Sequence, residues 1–299
     1  MSPEDSQGSL APRLAFVIDA IHTSSLARLG RGGYGVEMSR IAGLLAAYDE
    51  QLRGSAETPG ALAVAHLGPL RLVTFAGGRG FVTYKDLGGA SGDRIQGLVA
   101  DAMAHFRQDP AINRVEWKTR GHDNAPGLHD ALLNNGFAPD DPESVMIGDA
   151  ETLAVDLLTP AGVHLRRVTS EADVRGMCAM QSAVFEDPDA DGIADALLRR
   201  MISEDSMELW VAESQGQIIS AGRLEPVPGS QFAGIWGGAT RPEWRGQGVY
   251  RALTAARAKS ALRAGKTLIH SDSTKYSRPI LERAGLLQVS TTTPYHWKR

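Results

Sequence analysis

Cysteine is nearly absent from this sequence: Cys178 is the only one among 299 residues. A single thiol cannot form an internal disulfide, which excludes a small secreted scaffold held together by disulfides. It also excludes a structural zinc site of the cysteine-rich kind. The eight histidines show neither an H-E-x-x-H motif nor another paired spacing. We therefore expect no metal site.

Long apolar runs are missing as well. The run at residues 14–18 is far shorter than the ~20 residues that a membrane-spanning helix needs. Residues 1–5 are acidic and lack the basic start and apolar core of a signal peptide. These features predict a cytoplasmic protein without membrane partners. The net charge of −4 argues against broad nucleic-acid binding, which usually needs a basic face.

Charge is distributed unevenly along the chain. Residues 1–154 carry 13 basic and 19 acidic side chains, a net charge of −6, whereas residues 155–299 carry 18 and 16, a net charge of +2. An anionic ligand would bind to the second half at lower electrostatic cost. Random variation of the surface would produce the same difference, so the charge alone decides nothing.

The periodicity of apolar residues predicts a similar order of helices and strands in each half. In the first half it predicts helices at 34–52, 95–107 and 126–136, and strands at 61–66, 70–75, 80–84 and 114–118. In the second half it predicts strands at 163–168, 208–212, 218–223, 232–239, 267–270 and 292–297, and helices at 171–185, 191–203, 251–264 and 279–285. The pattern indicates two α/β domains, at 1–155 and 156–299, with the linker in residues 151–162.

A sparse internal repeat accompanies this order. Asp123 and Asp272 each precede a proline-started helix, and those helices end at Gly136 and Gly285. The interval from Asp123 to Asp272 equals the interval from Gly136 to Gly285. Matches this sparse also arise by chance, so the repeat leaves a duplication open.

The most informative segment runs from Gly237 to Leu253, where a strand, a tight loop and a helix follow one another. Gly246 and Gly248 remove side chains where the backbone would have to approach a ligand. The first amides of a helix bind anions, phosphate above all. Alternatively, the segment is a simple strand–turn–helix connection in which the glycines serve only the geometry of the turn. The segment is neither a Walker loop nor the dinucleotide-binding G-x-G-x-x-G.

Residues 240–250 resemble the acetyl-CoA-binding motif of the GCN5-related N-acetyltransferases, the GNAT superfamily. That motif reads Arg/Gln-x-x-Gly-x-Gly/Ala, and Arg245, Gly246, Gln247 and Gly248 fit it. Tyr250 replaces the usual final small residue, and its ring would either crowd the pyrophosphate or turn outward. The resemblance extends over about 163–299.

The resemblance implies that acetyl-CoA binds here as a co-substrate. The pantetheine arm would pair with the end of the strand, the loop amides would hold the pyrophosphate, and the thiol end would lie near Ser273. The implied cofactor-binding residues are Ala239, Thr240, Arg245, Gly246, Gln247, Gly248, Val249, Tyr250, Arg251 and Ser273.

The resemblance also implies the fold class: α/β, in two tandem GNAT-like domains, each with a mixed, largely antiparallel central sheet flanked by helices. The first half looks like a degenerate copy. Its glycine loop at 86–93 has no arginine or glutamine, and its two aspartates would repel a pyrophosphate. A structural first domain is the main interpretation, and a cofactor-binding first domain stays open.

The catalytic residues are less clear from the sequence. Family members commonly carry a tyrosine four residues before the glycine that ends the last helix, where this chain has Leu281. Tyr276 is the nearest substitute for a general acid, and Glu225 is the candidate base. Alternatively, Tyr276 only packs over the turn, and Glu225 is an exposed loop residue without a catalytic role. His270, on a strand expected to be buried, is interpreted as a core histidine with satisfied hydrogen bonds. The acidic run 186–191 is a candidate lip for a cationic acceptor.

The sequence therefore predicts an N-acetyltransferase that moves an acetyl group from acetyl-CoA directly to a primary amine of a small molecule or peptide. The alternative is a catalytically silent CoA-binding or interaction protein. The resemblance is compatible with a monomer or a homodimer.

Overall fold

The computed structural model describes residues 31–186, 189–203 and 206–299. The apolar run at 14–18 and the acidic start of the chain lie outside these residues. Among the helices described, none has both the length and the apolar character to span a bilayer.

Both halves of the described chain contain helices and strands. The helices are α1 (Arg31–Gln51), α2 (Asp93–Gln108), α3 (Leu128–Asn134), α4 (Ala150–Leu153), α5 (Glu171–Phe185), α6 (Ala190–Ile202), α7 (Val249–Arg263) and α8 (Arg278–Arg283). The strands are β1 (Ala63–Leu67), β2 (Leu70–Phe75), β3 (Arg79–Tyr84), β4 (Arg114–Arg120), β5 (Ala138–Pro139), β6 (Glu143–Asp149), β7 (Val163–Val168), β8 (Glu208–Ser214), β9 (Gln217–Pro226), β10 (Phe232–Thr240), β11 (Leu268–Ser273) and β12 (Leu287–Lys298).

The two halves share one sheet because each contributes a strand to the other. The order is β1-β2-β3-β4-β12-β6-β11-β10-β9-β8-β7, with β5 beside β12. The last strand of the chain, β12, pairs antiparallel with β4 and with β6. β6, from the first half, pairs antiparallel with β11 of the second. The sheet is continuous across the chain midpoint, and the proposed division at 155/156 separates the halves in sequence only.

The internal repeat is visible in this topology. β3 and β4 are parallel and are joined through α2, just as β10 and β11 are parallel and are joined through α7. A short helix then leads to a left-handed glycine in each half, Gly136 with φ +86° and Gly285 with φ +103°. The fold is thus α/β, with two tandem copies of the same unit around a mixed, largely antiparallel sheet.

The helices cover both faces of the sheet. Ile147 of β6 packs in a cluster with α1, whereas its neighbour Met146 packs with residues of α7 and α8. Because neighbouring residues of a strand point to opposite faces, α1 and the α7–α8 pair lie on opposite faces. α5 and α6 lie on the α1 face, against β8 and β9, and α2 and α3 lie on the α7 face.

The sequence-based assignment misses β5, β6 and α4 and places the start of β12 too late. β6 was not expected, because residues 145–147 are buried on both faces and show no polar alternation. β12 begins at Leu287, five residues before the expected 292, and its longer extent is what allows it to reach β6 as well as β4.

Candidate functional site

The site begins where two parallel strands part. β10 and β11 pair at Phe232–Leu268, Ala233–Ile269 and Gly234–His270, and no pairing continues beyond that point. β10 runs on to Thr240, with a bulge between Trp236 and Ala239 on its other edge. The facing edges of residues 235–240 and 271–273 are therefore open to a third chain or a ligand. We call this opening the strand split.

An open amide-lined loop lies at the wide end of the strand split. Gly246 (φ +75°) and Gly248 (φ +83°) adopt left-handed conformations, and a Cβ added to either would meet no atom within 4 Å. Gly248 caps α7 without a side-chain hydrogen bond, and the first turn of α7 has no acidic residue. Uncapped amides at the positive end of a helix dipole form a site for an anion.

Two side chains of the loop bond to its own backbone. Nε of Arg245 donates to the Thr240 carbonyl at 3.1 Å, and Nε2 of Gln247 donates to the Glu243 carbonyl at 2.8 Å. These bonds hold the loop in its open shape. Arg251 is exposed in the first turn of α7 and adds positive charge near the amides.

Tyr250 turns toward the sheet. A Cβ added to Gly238 would lie only 2.7 Å from Cε2 of its ring, so the ring rests directly on the backbone of β10. This position against β10 is a third orientation beside the two that the sequence left open. The glycine at 238 is required by this close approach.

A cavity of about 260 Å³ lies between α7, α8 and the segment after α4. Tyr250 and Arg251 line one side, and Leu281 lines the other. Leu281, the residue at the position of the expected tyrosine, thus faces this cavity with an apolar side chain. The cavity adjoins the open loop through the first turn of α7.

The remaining cofactor candidates lie along the split. Ala239 and Thr240 are buried, and Ser220 Oγ donates to the Ala239 carbonyl at 2.7 Å. Ser273 is buried at the end of β11, where its Oγ bonds to Ser271 Oγ at 3.3 Å. The Ser220 hydroxyl therefore ties the end of β10 to β9.

The candidate base, Glu225, is already engaged. Arg200 donates to both of its oxygens at 3.0 Å, and Nε of Arg223 donates at 3.1 Å. Burial opposes ionisation most strongly, but the two guanidinium groups outweigh it, and the pKa of Glu225 lies below its usual value. A carboxylate held in this way is a weak proton acceptor.

The candidate acid, Tyr276, lies in the turn after β11. Its residue is 77% exposed, and Nζ of Lys275 lies 5.6 Å from the centre of its ring. The side chain is therefore held by few contacts at the edge of the site.

His270 corrects a sequence-based interpretation. The residue is only 8% exposed, yet neither ring nitrogen has a hydrogen-bond partner among the described residues. The ring instead stands edge-on to Trp236 at 5.1 Å and to Phe232 at 5.7 Å between centroids. Burial lowers its pKa to about 4, so the imidazole is neutral at pH 7. The expectation of a satisfied core histidine was wrong.

Sequence reasoning missed a charged group beside His270. Nζ of Lys118 lies 2.5 Å from Oδ2 of Asp272, and Oδ1 of Asp272 has no hydrogen-bond partner within the described chain. Burial, and next the charge of Asp272, raise the pKa of Glu143 to about 7. Two of these residues belong to the first half, so no pattern within the second half pointed to them.

The acidic run 186–191 lies only partly within the described residues, since 187 and 188 fall outside them. Glu186 ends α5 in a left-handed conformation. Asp189 precedes α6 and lies 3.8 Å from the guanidinium of Arg114 in β4. The loop between α5 and α6 therefore reaches across to the first half of the chain.

The corresponding loop of the first half is built differently. Oδ1 of Asp86 accepts the amide of Gly88 at 2.7 Å, and Asp93 stands in the first turn of α2. Both acids place negative charge where the second half has free amides and arginines. α2 also begins at a glycine without a side-chain cap, Gly92, so the two loops differ in charge rather than in the capping of the helix.

Comparison with known proteins identifies the fold. Residues 175–285 match the model of the acetyltransferase (GNAT) family. A GCN5-related N-acetyltransferase from Kribbella flavida is 16% identical and superposes with a TM-score of 0.57 over 86% of this chain and 94% of that chain. One from Sphaerobacter thermophilus is 16% identical, with a TM-score of 0.56 over 77% and 76%.

A tandem GNAT protein from the clavulanic acid biosynthesis pathway is 15% identical, with a TM-score of 0.54 over 77% of this chain and 78% of that chain. At such identities the likeness establishes the fold alone. A search of curated proteins gives no match.

Proposed function

We propose that this protein, whose residues 175–285 match the acetyltransferase (GNAT) family model, is an N-acetyltransferase that transfers an acetyl group from acetyl-CoA directly to a primary amine. The observation that carries the proposal is the open loop at Gly246 and Gly248, which joins the uncapped start of α7 to the strand split. An anionic diphosphate and an extended thioester arm need these two features side by side.

In this proposal the amides from Gly246 to Tyr250 hold the pyrophosphate of CoA. Arg245 and Arg251 add charge, because guanidinium groups form strong hydrogen bonds to phosphate. The pantetheine arm then follows the unpaired edge of β10 past Thr240 and Ala239, with Ser273 near its thiol end. The open space around both loop glycines supports this path.

The strand split also supplies what acyl transfer requires. Unpaired N–H groups of β10 stabilise the oxyanion of the tetrahedral intermediate, a contribution of about 3–4 kcal/mol for one donor in other acyl-transfer enzymes. The acceptor must lose a proton to attack, since a lysine-type amine has a pKa of about 10.4. Glu225 as base and Tyr276 as acid stay predictions, tested by Glu225→Gln and Tyr276→Phe.

A catalytically silent CoA-binding protein is the second candidate. Two observations favour it: Leu281 presents an apolar side chain to the cavity, and two arginines already occupy Glu225. A thiolate leaves readily, however, and catalysis without a dedicated acid is chemically sufficient.

We propose a structural role for the first half, residues 1–155, and the acetyltransferase role for residues 156–299. The acids of the 86–93 loop support this division, since they oppose a diphosphate. A cytoplasmic location, a small-molecule or peptide amine as acceptor, and a monomer or homodimer complete the proposal.

Calorimetry with acetyl-CoA, followed by release of free CoA thiol with a panel of amines, tests both candidates. Binding and amine-dependent thiol release support the enzyme. Binding without turnover on any amine supports the silent protein, and the absence of binding rejects both.

A further inference from the structure

His270 and Asp272 are the buried groups of the strand split whose hydrogen-bonding capacity is left unfilled. Both nitrogens of His270 and Oδ1 of Asp272 lack partners among the described residues. Burying a polar group without a hydrogen-bond partner is costly, and such groups call for an explanation when they cluster. Two residues apart on β11, the two side chains point to the same face.

That face is the one opposite α7. His270 and Asp272 share it with Ile147 and Val145 of β6, their cross-strand partners, which pack against α1. The loop that would hold CoA leads into α7 on the other face. An acceptor could therefore approach His270 from the α1 face while the cofactor enters from the α7 face, so the two would not compete for one entrance.

His270 also marks the narrow end of the split. The last paired residues of β10 and β11 are Gly234 and His270, so an extended arm that enters at the loop can advance only that far. Its acyl end, bonded to a thiol near Ser273, would lie between Ser273 and His270. This step rests on the proposed function.

Of the described groups that could accept a proton here, His270 is the one that is not already bound to a cation. Glu225 faces it from β9 but is held by Arg200 and Arg223, and Asp272 faces it from β11 with one oxygen on Lys118. The negative charges of Asp272 and Glu225 favour protonation of the ring, while burial and Lys118 oppose it.

We propose that His270 accepts the proton of the acceptor amine, and that Oδ1 of Asp272 binds a further N–H group of that cationic acceptor. Neither residue is among the candidates that the sequence provided for catalysis. The acceptor site is then built by both halves, since Lys118 of the first half holds Asp272 in place.

The step balances without another reactant. The acceptor ammonium first releases one proton to water. The neutral amine nitrogen then forms a bond to the thioester carbonyl carbon as a second proton passes from it to a ring nitrogen of His270. Collapse of the tetrahedral intermediate breaks the C–S bond and expels the thiolate of CoA. The proton on His270 then passes to that thiolate or to water, which restores the neutral ring.

Trp236 covers His270 in this structure. Its indole lies back over Gly234, so close that a Cβ on Gly234 would be 2.3 Å from Nε1. The same ring stands against His270. Rotation of this one side chain, which is partly exposed, would open the imidazole to an acceptor.

The test compares wild type, His270→Gln and His270→Ala with His164→Gln, a histidine exposed on the edge strand β7. Acetyl-CoA binding is measured by calorimetry, and turnover by thiol release with tyramine, spermidine and Nα-acetyl-lysine amide. General-base catalysis contributes about 10²–10⁴-fold. We expect kcat to fall at least ~100-fold in both His270 variants, with acetyl-CoA affinity within about 2-fold of wild type. His164→Gln should match wild type.

Two further readouts separate a proton acceptor from a packing residue. Added imidazole should restore part of the activity of His270→Ala but not of Glu225→Gln. In wild type, the ring ¹⁵N signals of His270 should shift when spermidine is added to the CoA-bound protein, whether or not turnover occurs.

Each result has a consequence. An active wild type with unchanged kcat in His270→Gln overturns the inference alone, whereas a wild type that does not bind acetyl-CoA overturns the proposed function. The NMR experiment decides the question if the variants fail to fold or if no amine is acetylated. Ring ¹⁵N signals of wild-type His270 that do not change when spermidine is added then overturn the inference, and signals that shift support it.

Discussion

Nζ of Lys118 lies 2.5 Å from Oδ2 of Asp272, an ion pair that joins β4 of the first half to β11 of the second. Both side chains are largely buried, with exposed fractions of 17% and 8%. Burial opposes the charge on Lys118, but Asp272 outweighs it and the pKa of Lys118 is raised. The pair thus couples the two copies of the fold beside the proposed acceptor site.

Replacing Lys118 by Met should destabilise the protein strongly, because it leaves the buried carboxylate of Asp272 unpaired. Loss of one partner of a buried ion pair costs about 3–5 kcal/mol. Urea unfolding should show this loss, and Lys118→Met/Asp272→Asn should recover more than half of it. Lys275→Met, which breaks a pair exposed at 68% and 85%, should leave the unfolding midpoint unchanged. Equal effects of the two Lys→Met changes would contradict the assignment.

Each half contributes a strand to the sheet of the other, β6 from the first half and β12 from the second. We refer to this as the exchange of β6 and β12, and it predicts that neither half folds alone. A fragment of residues 156–299 lacks β6 and exposes the edge of β11, and a fragment of 1–155 lacks β12. We expect each fragment alone to aggregate and the two to co-purify when co-expressed. The control is a full-length chain cleaved at Leu158, which is 98% exposed; its halves should stay associated. A monomeric, cooperatively unfolding 156–299 fragment would reject this arrangement.

Much of the fold was accessible from the sequence because its signals are local. The amphipathic stripe of α1, the glycines that end α3 and α8, and the loop at 245–248 are each set by neighbouring residues. The equal intervals from Asp123 to Asp272 and from Gly136 to Gly285 left a duplication open, and the structure gives both glycines a left-handed conformation.

The features that the sequence did not reveal depend on contacts between distant residues. Asp272 and Lys118 are 154 residues apart, and no periodicity links them. Both ring nitrogens of His270 lack hydrogen-bond partners because of the side chains that surround the ring. The strand pattern in the sequence indicated that His270 is buried, but it could not show which side chains surround it. The exchange of β6 and β12 likewise depends on pairing across the whole chain.

Gly248→Asp should abolish acetyl-CoA binding, whereas Gly89→Asp should not. The two positions form a matched pair: φ is +83° and +70°, and a Cβ at either meets no atom within 4 Å. The backbone strain of the substitution is therefore similar, and only Gly248 places the new charge against the proposed pyrophosphate. Calorimetry measures the difference. The same loss in both variants would contradict a cofactor site confined to the second half.

Gly234→Ala should destabilise the protein, since the new Cβ would lie 2.3 Å from Nε1 of Trp236. Overpacking of this kind costs about 1–3 kcal/mol. In a Trp236→Leu background the cost of the same change should fall to less than half. Gly97→Ala is the control: Gly97 lies in α2 with open space around it, and alanine should add about 0.5–1 kcal/mol. An equal cost in both backgrounds would show that Trp236 does not occupy this position in solution.

Glu143 should make stability fall with rising pH. Its pKa of about 7 lies above the unfolded value of ~4.3, so between these values the folded state binds the extra proton and the free energy of unfolding decreases as pH rises. If the whole pKa shift contributed, the loss of stability would be about 3–4 kcal/mol. Solvent screening at this partly buried site reduces the loss to about 1–2 kcal/mol between pH 5 and pH 8.

Glu143→Gln should remove this pH dependence. In urea unfolding, variant and wild type should be equally stable at pH 5, and the variant should be more stable at pH 8. Glu151→Gln, at an exposed position, should keep the wild-type slope. A wild type that gains stability relative to Glu143→Gln from pH 5 to pH 8 would reverse the sign and would mean that Lys118 dominates the field at Glu143 rather than Asp272.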